Sequence, residues 1–274
     1  MAKFARIYND PVIVQQVLHN LHWRHNIALM DKLDDEKQRI WYAEQALENG
    51  WSSAILEIQI ESNLYRRQAI ADKTTNFKVK LPAPQSDMAQ QAMKDPYIFD
   101  FIENRKGMVE RDLENELVSH IAKFLLELGS GFAFVGRQYH LEIGTQDFYI
   151  DLLFYNLKLR CYVVIELKMT EFKPEYAGKL NFYVTAVDDM LKQETDNPTI
   201  GILLCKDKNK VIAEYALRYI ESPISVNEFK LFNKLPKEYR NILPSAKDIE
   251  NRLNLDVLTF KDKKAVSVKA KKRT

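Results

Sequence analysis

Two apolar runs, each broken by charged residues, constrain this chain more than anything else in it. Residues 148–155 read F-Y-I-D-L-L-F-Y, with Asp151 the one charge, and residues 161–168 read C-Y-V-V-I-E-L-K, with Glu166 and Lys168 where burial should be deepest. Aromatic and β-branched residues at this density predict two strands. An ionised carboxylate left in a dry interior costs several kcal/mol unless it is paired or binds a metal. Side chains alternate along a strand, so Glu166 and Lys168 share a face, about 7 Å apart along the chain. If the two strands are neighbours, Asp151 sits beside Glu166, and two clustered carboxylates call for a cation between them. Oxygen ligands point to a hard ion, Mg²⁺ or Mn²⁺, rather than zinc. The rival for the same residues is an ion-pair network without chemistry.

The segment before these strands predicts a helix of some twenty residues from Val109, ending at Gly129. At 100° per residue, Leu113, Leu117, Ile121, Phe124 and Leu128 form one stripe. Glu114 falls inside that stripe, either as a third acid of the site or paired with an arginine or lysine at its edge. Glu116 falls outside, near His120 and Lys123. Short strands are expected at 132–135, 138–143, 148–155 and 161–168, then a helix at 174–192, a strand at 199–205, a helix at 209–220 and a strand at 226–232. This order predicts an α/β domain, a mixed central sheet flanked by helices, at residues 108–235.

A small all-α domain is expected at residues 1–71. Pro11, Val14, Val17, Leu18 and Leu21 suggest one amphipathic helix ending before Asp34 and Asp35. A second should run from Asp35 to Glu48 and stop at Gly50, and Ser52 or Ser53 can cap a third. Residues 72–107, with Pro82, Pro84 and Pro96, predict a linker holding a short helix near 86–94. Residues 236–260 look helical.

The last fourteen residues carry seven Lys or Arg against Asp262, a charge of +6, so the net charge of +2 leaves −4 on the rest. The charge balance of the body therefore gives no sign of nucleic acid, and residues 261–274 read as a basic disordered tail. Cys161 and Cys205 form no CxxC pair and read as small buried hydrophobes. No apolar run approaches the ~18 residues of a membrane span, and the chain reads as soluble and cytoplasmic. His19, His22 and His25 read as polar-face histidines rather than a metal site, and Trp23, Trp41 and Trp51 as packing anchors. Tyr155 and Tyr183 flank the charged strands, lining a cleft or packed in the core.

The segments RDLENELVSHIAKFLLELGSGFAFVGRQYHL, DFYIDLLFY, YVVIELKM, FKPEYAGKLNFYVTAVDD, PTIGILLCK and EYALRYIESPISVNEF resemble the PD-(D/E)XK nuclease superfamily and, within it, the YhcG-type branch. The resemblance covers residues 108–232. LHWRHNIALMDKL, WYAEQALENGWS and IESNLYRRQ resemble the later part of that family's N-terminal domain, so a shortened form of that domain is expected. The resemblance implies a restriction-endonuclease-like core and Mg²⁺-dependent hydrolysis of phosphodiesters in DNA, by an endonuclease. It makes Asp151 and Glu166 the metal-binding acids, Lys168 the lysine of E-x-K and Glu114 the first-helix glutamate at the metal. Gln138 and Lys179 match flanking polar positions; Lys179 stands where related nucleases often have Gln and could contact phosphate, with Tyr183 beside it. The alternative is a non-catalytic nucleic-acid-binding or protein-docking member that keeps the fold. The N-terminal helices are the expected surface for a second copy or a partner protein.

Overall fold

The computed structural model describes residues 17–232 together with Phe4, Ile7 and Tyr8. The helices expected at 236–260 and the tail at 261–274 lie outside them. Among the described residues a short 3-10 turn at Leu18–Asn20 leads into three helices, α1 (Trp23–Lys32), α2 (Glu36–Glu48) and α3 (Ser53–Glu61). Their ends follow the capping chemistry. Asp35 accepts from the Gln38 amide at 2.8 Å, Ser52 accepts from the Ile55 amide at 3.3 Å, and Gly50 takes a φ of 61° just past α2. Together the three helices enclose Leu29, Tyr42, Ala43, Leu56 and Leu64. The single helix expected from Pro11 to Asp34 is interrupted. Leu21 and His22 are extended, and the His22 ring caps α1 by accepting from the Arg24 amide.

Residues 72–107 are not a linker. They hold β1 (Thr74–Thr75), α4 (Phe77–Lys80), α5 (Gln85–Ala92) and β2 (Tyr97–Glu103), and both strands pair with β7 (Ile224–Phe232). Phe77, Leu81, Met93, Tyr97, Phe99 and Ile102 are buried in the core cluster, and the prolines of the segment mark the turns between its elements. The predicted twenty-residue helix is likewise two helices, α6 (Glu110–Ser119) and α7 (Ile121–Leu128). They break at His120, whose backbone leaves the helical region (φ −113°, ψ 38°) and whose ring Nδ1 lies 3.0 Å from the Glu116 carbonyl.

The remaining elements are β3 (Phe132–Ile143), β4 (Gln146–Asn156), β5 (Cys161–Glu171), α8 (Pro174–Met190), β6 (Ile200–Asp207) and α9 (Lys210–Leu217). The result is a mixed α/β fold: one seven-stranded sheet, ordered β1-β7-β6-β5-β4-β3 with β2 also on β7, flanked by helices. β3, β4 and β5 are antiparallel neighbours, whereas β5, β6 and β7 run parallel. The two runs predicted at 132–135 and 138–143 form one strand, with a register shift between Phe134 and Gly136.

Apolar residues of α6 and α7 pack with Val163, Ile165 and Leu167 of β5, while those of α8 and α9 pack with Val164. Alternation then puts Glu166 and Lys168 on the side covered by α8. The helical N-terminal segment is tied to this core through Arg67. Its guanidinium meets Glu127 Oε1 of α7 at 2.5 Å, and both side chains are under 10% exposed. The same oxygen accepts from the Ile98 amide at 2.8 Å.

Gly201 of β6 sets how closely α8 approaches the sheet. A Cβ at that position would lie 2.9 Å from Leu180 Cγ and 3.0 Å from Val184 Cγ2. Gly201→Ala is therefore expected to lower stability by roughly 1–3 kcal/mol in urea denaturation, because overpacking must push α8 outward. A variant with the wild-type midpoint would show that the helix has room to spare.

Candidate active site

The site forms where β4 and β5 part. Their ladder runs from Asn156 opposite Cys161 to Leu152 opposite Ile165. The next facing pair would be Asp151 and Glu166. There the backbone pairing stops, and the Leu167 amide donates instead to Asp151 Oδ2 at 2.9 Å. The two acids expected to meet are thus brought together by an antiparallel register.

Glu166 is 1% exposed. Its Oε2 accepts from Lys179 Nζ at 2.9 Å and lies 3.8 Å from Lys168 Nζ. Its Oε1 is buried and has no hydrogen-bond partner. Burial pushes the carboxyl up to about 7, Asp151's charge pushes the same way, and the two lysines oppose them. Burial alone would pull the Lys179 ammonium down, but the charge and hydrogen bond of Glu166 outweigh it and leave it raised.

Lys168 donates to the Leu167 carbonyl at 2.9 Å, lies 3.8 Å from Glu110 Oε2 and rests 5.5 Å from the centre of the Tyr176 ring. Lys179, on α8, lies over Tyr183 at 5.1 Å. Tyr183 itself is 4% exposed, so it supports the lysine from beneath rather than lining an open cleft. Tyr155 is turned away, with its hydroxyl donating to Asp196 at 2.7 Å.

Gln138 links the third predicted acid to the pair. It sits in β3 with a φ of 44°, a left-handed conformation for a residue other than glycine. Its amide donates to Glu114 Oε2 at 2.5 Å and to Asp151 Oδ1 at 3.4 Å. Glu114 is buried, and its carboxyl is raised by that burial and by Asp151's charge against the Gln138 hydrogen bond. Glu116 instead pairs with Arg105 and faces His120, as the helical phase predicts. Among the described residues no three His, Cys, Asp or Glu side chains stand together as a ready metal centre. The expected trio is therefore a close pair, Asp151 and Glu166, with Glu114 behind an amide.

That pair suits a hard divalent cation. It offers only oxygen donors, one oxygen of Glu166 is buried and unpaired, and the charge of Asp151 adds to the cost of ionising Glu166. Sequence reasoning missed Glu110 and Tyr176, which hold Lys168. Glu110 lies one turn before Glu114 on α6, so the i, i+4 spacing carried its signal. Tyr176 carried none, because its contact exists only once α8 folds over β5. Both cysteines are buried and free, as expected, whereas His25 departs from the polar-face reading: it is buried, with its Nε2 2.8 Å from the Trp51 carbonyl.

Known proteins share this arrangement of sequence. The family description of the DUF1016 N-terminal domain matches residues 1–67, and that of the YhcG PDDEXK nuclease domain matches residues 90–244. The second match begins inside α5 and takes in β2. A protein of Escherichia coli (strain K12), provisionally named as the nuclease YhcG, is 36% identical over 203 residues, which are 74% of this chain and 54% of that protein. The chain thus spans about half the length of that relative. Among solved structures, a repair endonuclease from Pyrococcus abyssi is 17% identical over 48% of this chain and 49% of its own, with a TM-score of 0.31. EndoMS in a complex with dsDNA is 19% identical over 50% of each chain, with a TM-score of 0.33. On the family match over residues 90–244, more than half of its length, the chain belongs to the YhcG family of PDDEXK nucleases.

Proposed function

We propose that the chain is a Mg²⁺- or Mn²⁺-dependent nuclease that hydrolyses phosphodiester bonds in DNA, with Asp151 and Glu166 as its metal ligands. The observation that carries this reading is the unpaired, buried Oε1 of Glu166 beside Asp151. An ion-pair network alone accounts for Oε2, through Lys179, but leaves Oε1 without a partner in a place water does not reach. When bound, the cation would neutralise charge on the scissile phosphate and lower the pKa of a water. The Leu167 amide and Gln138 fix the orientation of Asp151. Lys168, steadied by Glu110 and Tyr176, stabilises charge or orients the attacking water at the end of β5. Lys179 has a side chain 45% exposed, so it can hold Glu166 with one proton and present the others to a substrate phosphate. Glu114 acts through Gln138 on the position of Asp151.

Calorimetric titration with Mn²⁺ and cleavage of supercoiled, linear, branched and single-stranded DNA, with RNA alongside, test the proposal in Mg²⁺ and in EDTA. Wild type should bind Mn²⁺ and cleave DNA only with metal. Asp151→Ala and Glu166→Ala should stay folded, lose cleavage and weaken Mn²⁺ binding by at least about tenfold. Wild-type metal affinity and rate in either variant would remove the assignment, and metal binding without cleavage of any substrate would favour the non-catalytic reading. Cleavage confined to RNA would correct the substrate.

The burial of Glu166 also sets a dependence of stability on pH. Its carboxyl stands at about 7 in the folded chain against an ordinary value of 4.5. Between those values the folded chain keeps a proton that the unfolded chain has lost, so this group's stabilising contribution is full below pH 4.5 and is lost as pH rises toward 7. In metal-free buffer, Glu166→Gln should therefore flatten the fall in stability between pH 4.5 and 7, as read by urea midpoints. An unchanged slope would mean that Glu166 is ionised throughout.

A further inference from the structure

Phe182 is left 38% exposed at the edge of this site, whereas Leu180, Val184 and Val187 of the same helix are buried. It follows Lys179 by three residues on α8, and side chains so spaced share a helix face with about 5–6 Å between Cβ atoms. Its ring packs on Phe148 of β4 at 4.8 Å, with the planes at 55°. Phe148 in turn packs against the buried cluster containing Leu141 and Ile150, so Phe182 has a firm backing on one side and solvent on the other. Tyr183, whose ring carries the Lys179 ammonium, lies 5.8 Å from the Phe182 ring.

A flat apolar face and an exposed cation, side by side, match the two ends of one nucleotide: the π face of its base and the charge of its phosphate. Bases inside a duplex hide their faces against their neighbours. A platform of this kind can therefore receive only a base that is single-stranded, at an end, bulged or turned out of the stack.

Resting on the nuclease reading above, we propose that Phe182, backed by Phe148, is a stacking platform for an unpaired base whose phosphate lies on Lys179. The substrate class is then DNA with at least one unpaired nucleotide beside the cleaved bond. Lys179 supplies the anion contact, which is indifferent to base identity, and Phe182 supplies the choice between paired and unpaired bases. Stacking tolerates every base, so little sequence preference arises from this contact.

The test uses the full chain and 2-aminopurine oligonucleotides, titrated in EDTA and again in Ca²⁺. The fluorophore sits in a single strand, in a one-base bulge or in a fully paired duplex. Wild type should quench the first two probes on binding. Phe182→Ala should lose about 5- to 150-fold in affinity for them, the range that one stacked base contributes, with paired-duplex affinity unchanged. Phe182→Trp should restore binding. Phe182→Leu, which keeps apolar packing on Phe148 without a π face, should behave as Phe182→Ala and guards against a folding defect. If Phe182→Ala and Phe182→Leu bind all three probes as wild type does, or lose equally on all three, the platform is overturned. A wild-type chain that cleaves DNA under those outcomes leaves the nuclease reading intact. One that binds no probe and cleaves nothing overturns both.

Discussion

Water is excluded from Glu166, and the polar groups around it are arranged by that exclusion. β5 is covered on both faces, which forces its side chains to be apolar or to find partners inside the protein. Glu166 has Lys179 and the more distant Lys168 on one oxygen and nothing on the other. Asp151, across the end of the β4–β5 ladder, adds a like charge instead of relieving one. Neighbouring elements then serve to hold these groups: the Leu167 amide and Gln138 hold Asp151, Glu110 and Tyr176 hold Lys168, and Tyr183 lies beneath Lys179.

The chain contains its own control for this interpretation. Glu127 is another buried carboxylate beside a cation, yet every part of it is used. Arg67 reaches both of its oxygens, at 2.5 and 3.4 Å, and the Ile98 amide donates to the first. Lys94 donates to its backbone carbonyl. A charge buried for structure can close its hydrogen bonds in this way, joining the helical segment to α7 and β2. Glu166 is buried more deeply and stays open on one oxygen. Glu127 has closed its hydrogen bonds, whereas Glu166 keeps one oxygen that a ligand could take.

Much of the site was legible because a charge inside an apolar strand is expensive, so Asp151, Glu166 and Lys168 stood out without any knowledge of their partners. Glu114 was legible through helical phase, and the structure puts it behind Gln138, one side-chain amide away from Asp151. What escaped was set by tertiary contact. Glu110 and Tyr176 look like ordinary surface residues until α6 and α8 close on β5. The strand Y-I-F-D-F-I-E at 97–103 was hidden by the proline and acids around it, and β1, two residues long, has no pattern to read. The break at His120 depends on one imidazole turning back to a carbonyl. The alternation of residues cannot announce such a choice.

The strand order also divides the site by the range of the contacts that build it. Asp151 and Glu166 lie on antiparallel neighbours joined by a short turn, so their pairing is local and can form as soon as β5 exists. Lys179 is different, because its helix is seated on β6, where Leu180 and Val184 close over Gly201. β6 pairs parallel to β5 and is reached only after the whole crossover through α8 has been made. The pairing of the two acids thus draws on nothing beyond β5, whereas the helix above them needs β6 in place. The carboxylate pair rests on a local hairpin and its lysine clamp on a long crossover, so the two halves of the site are built from contacts of very different sequence separation.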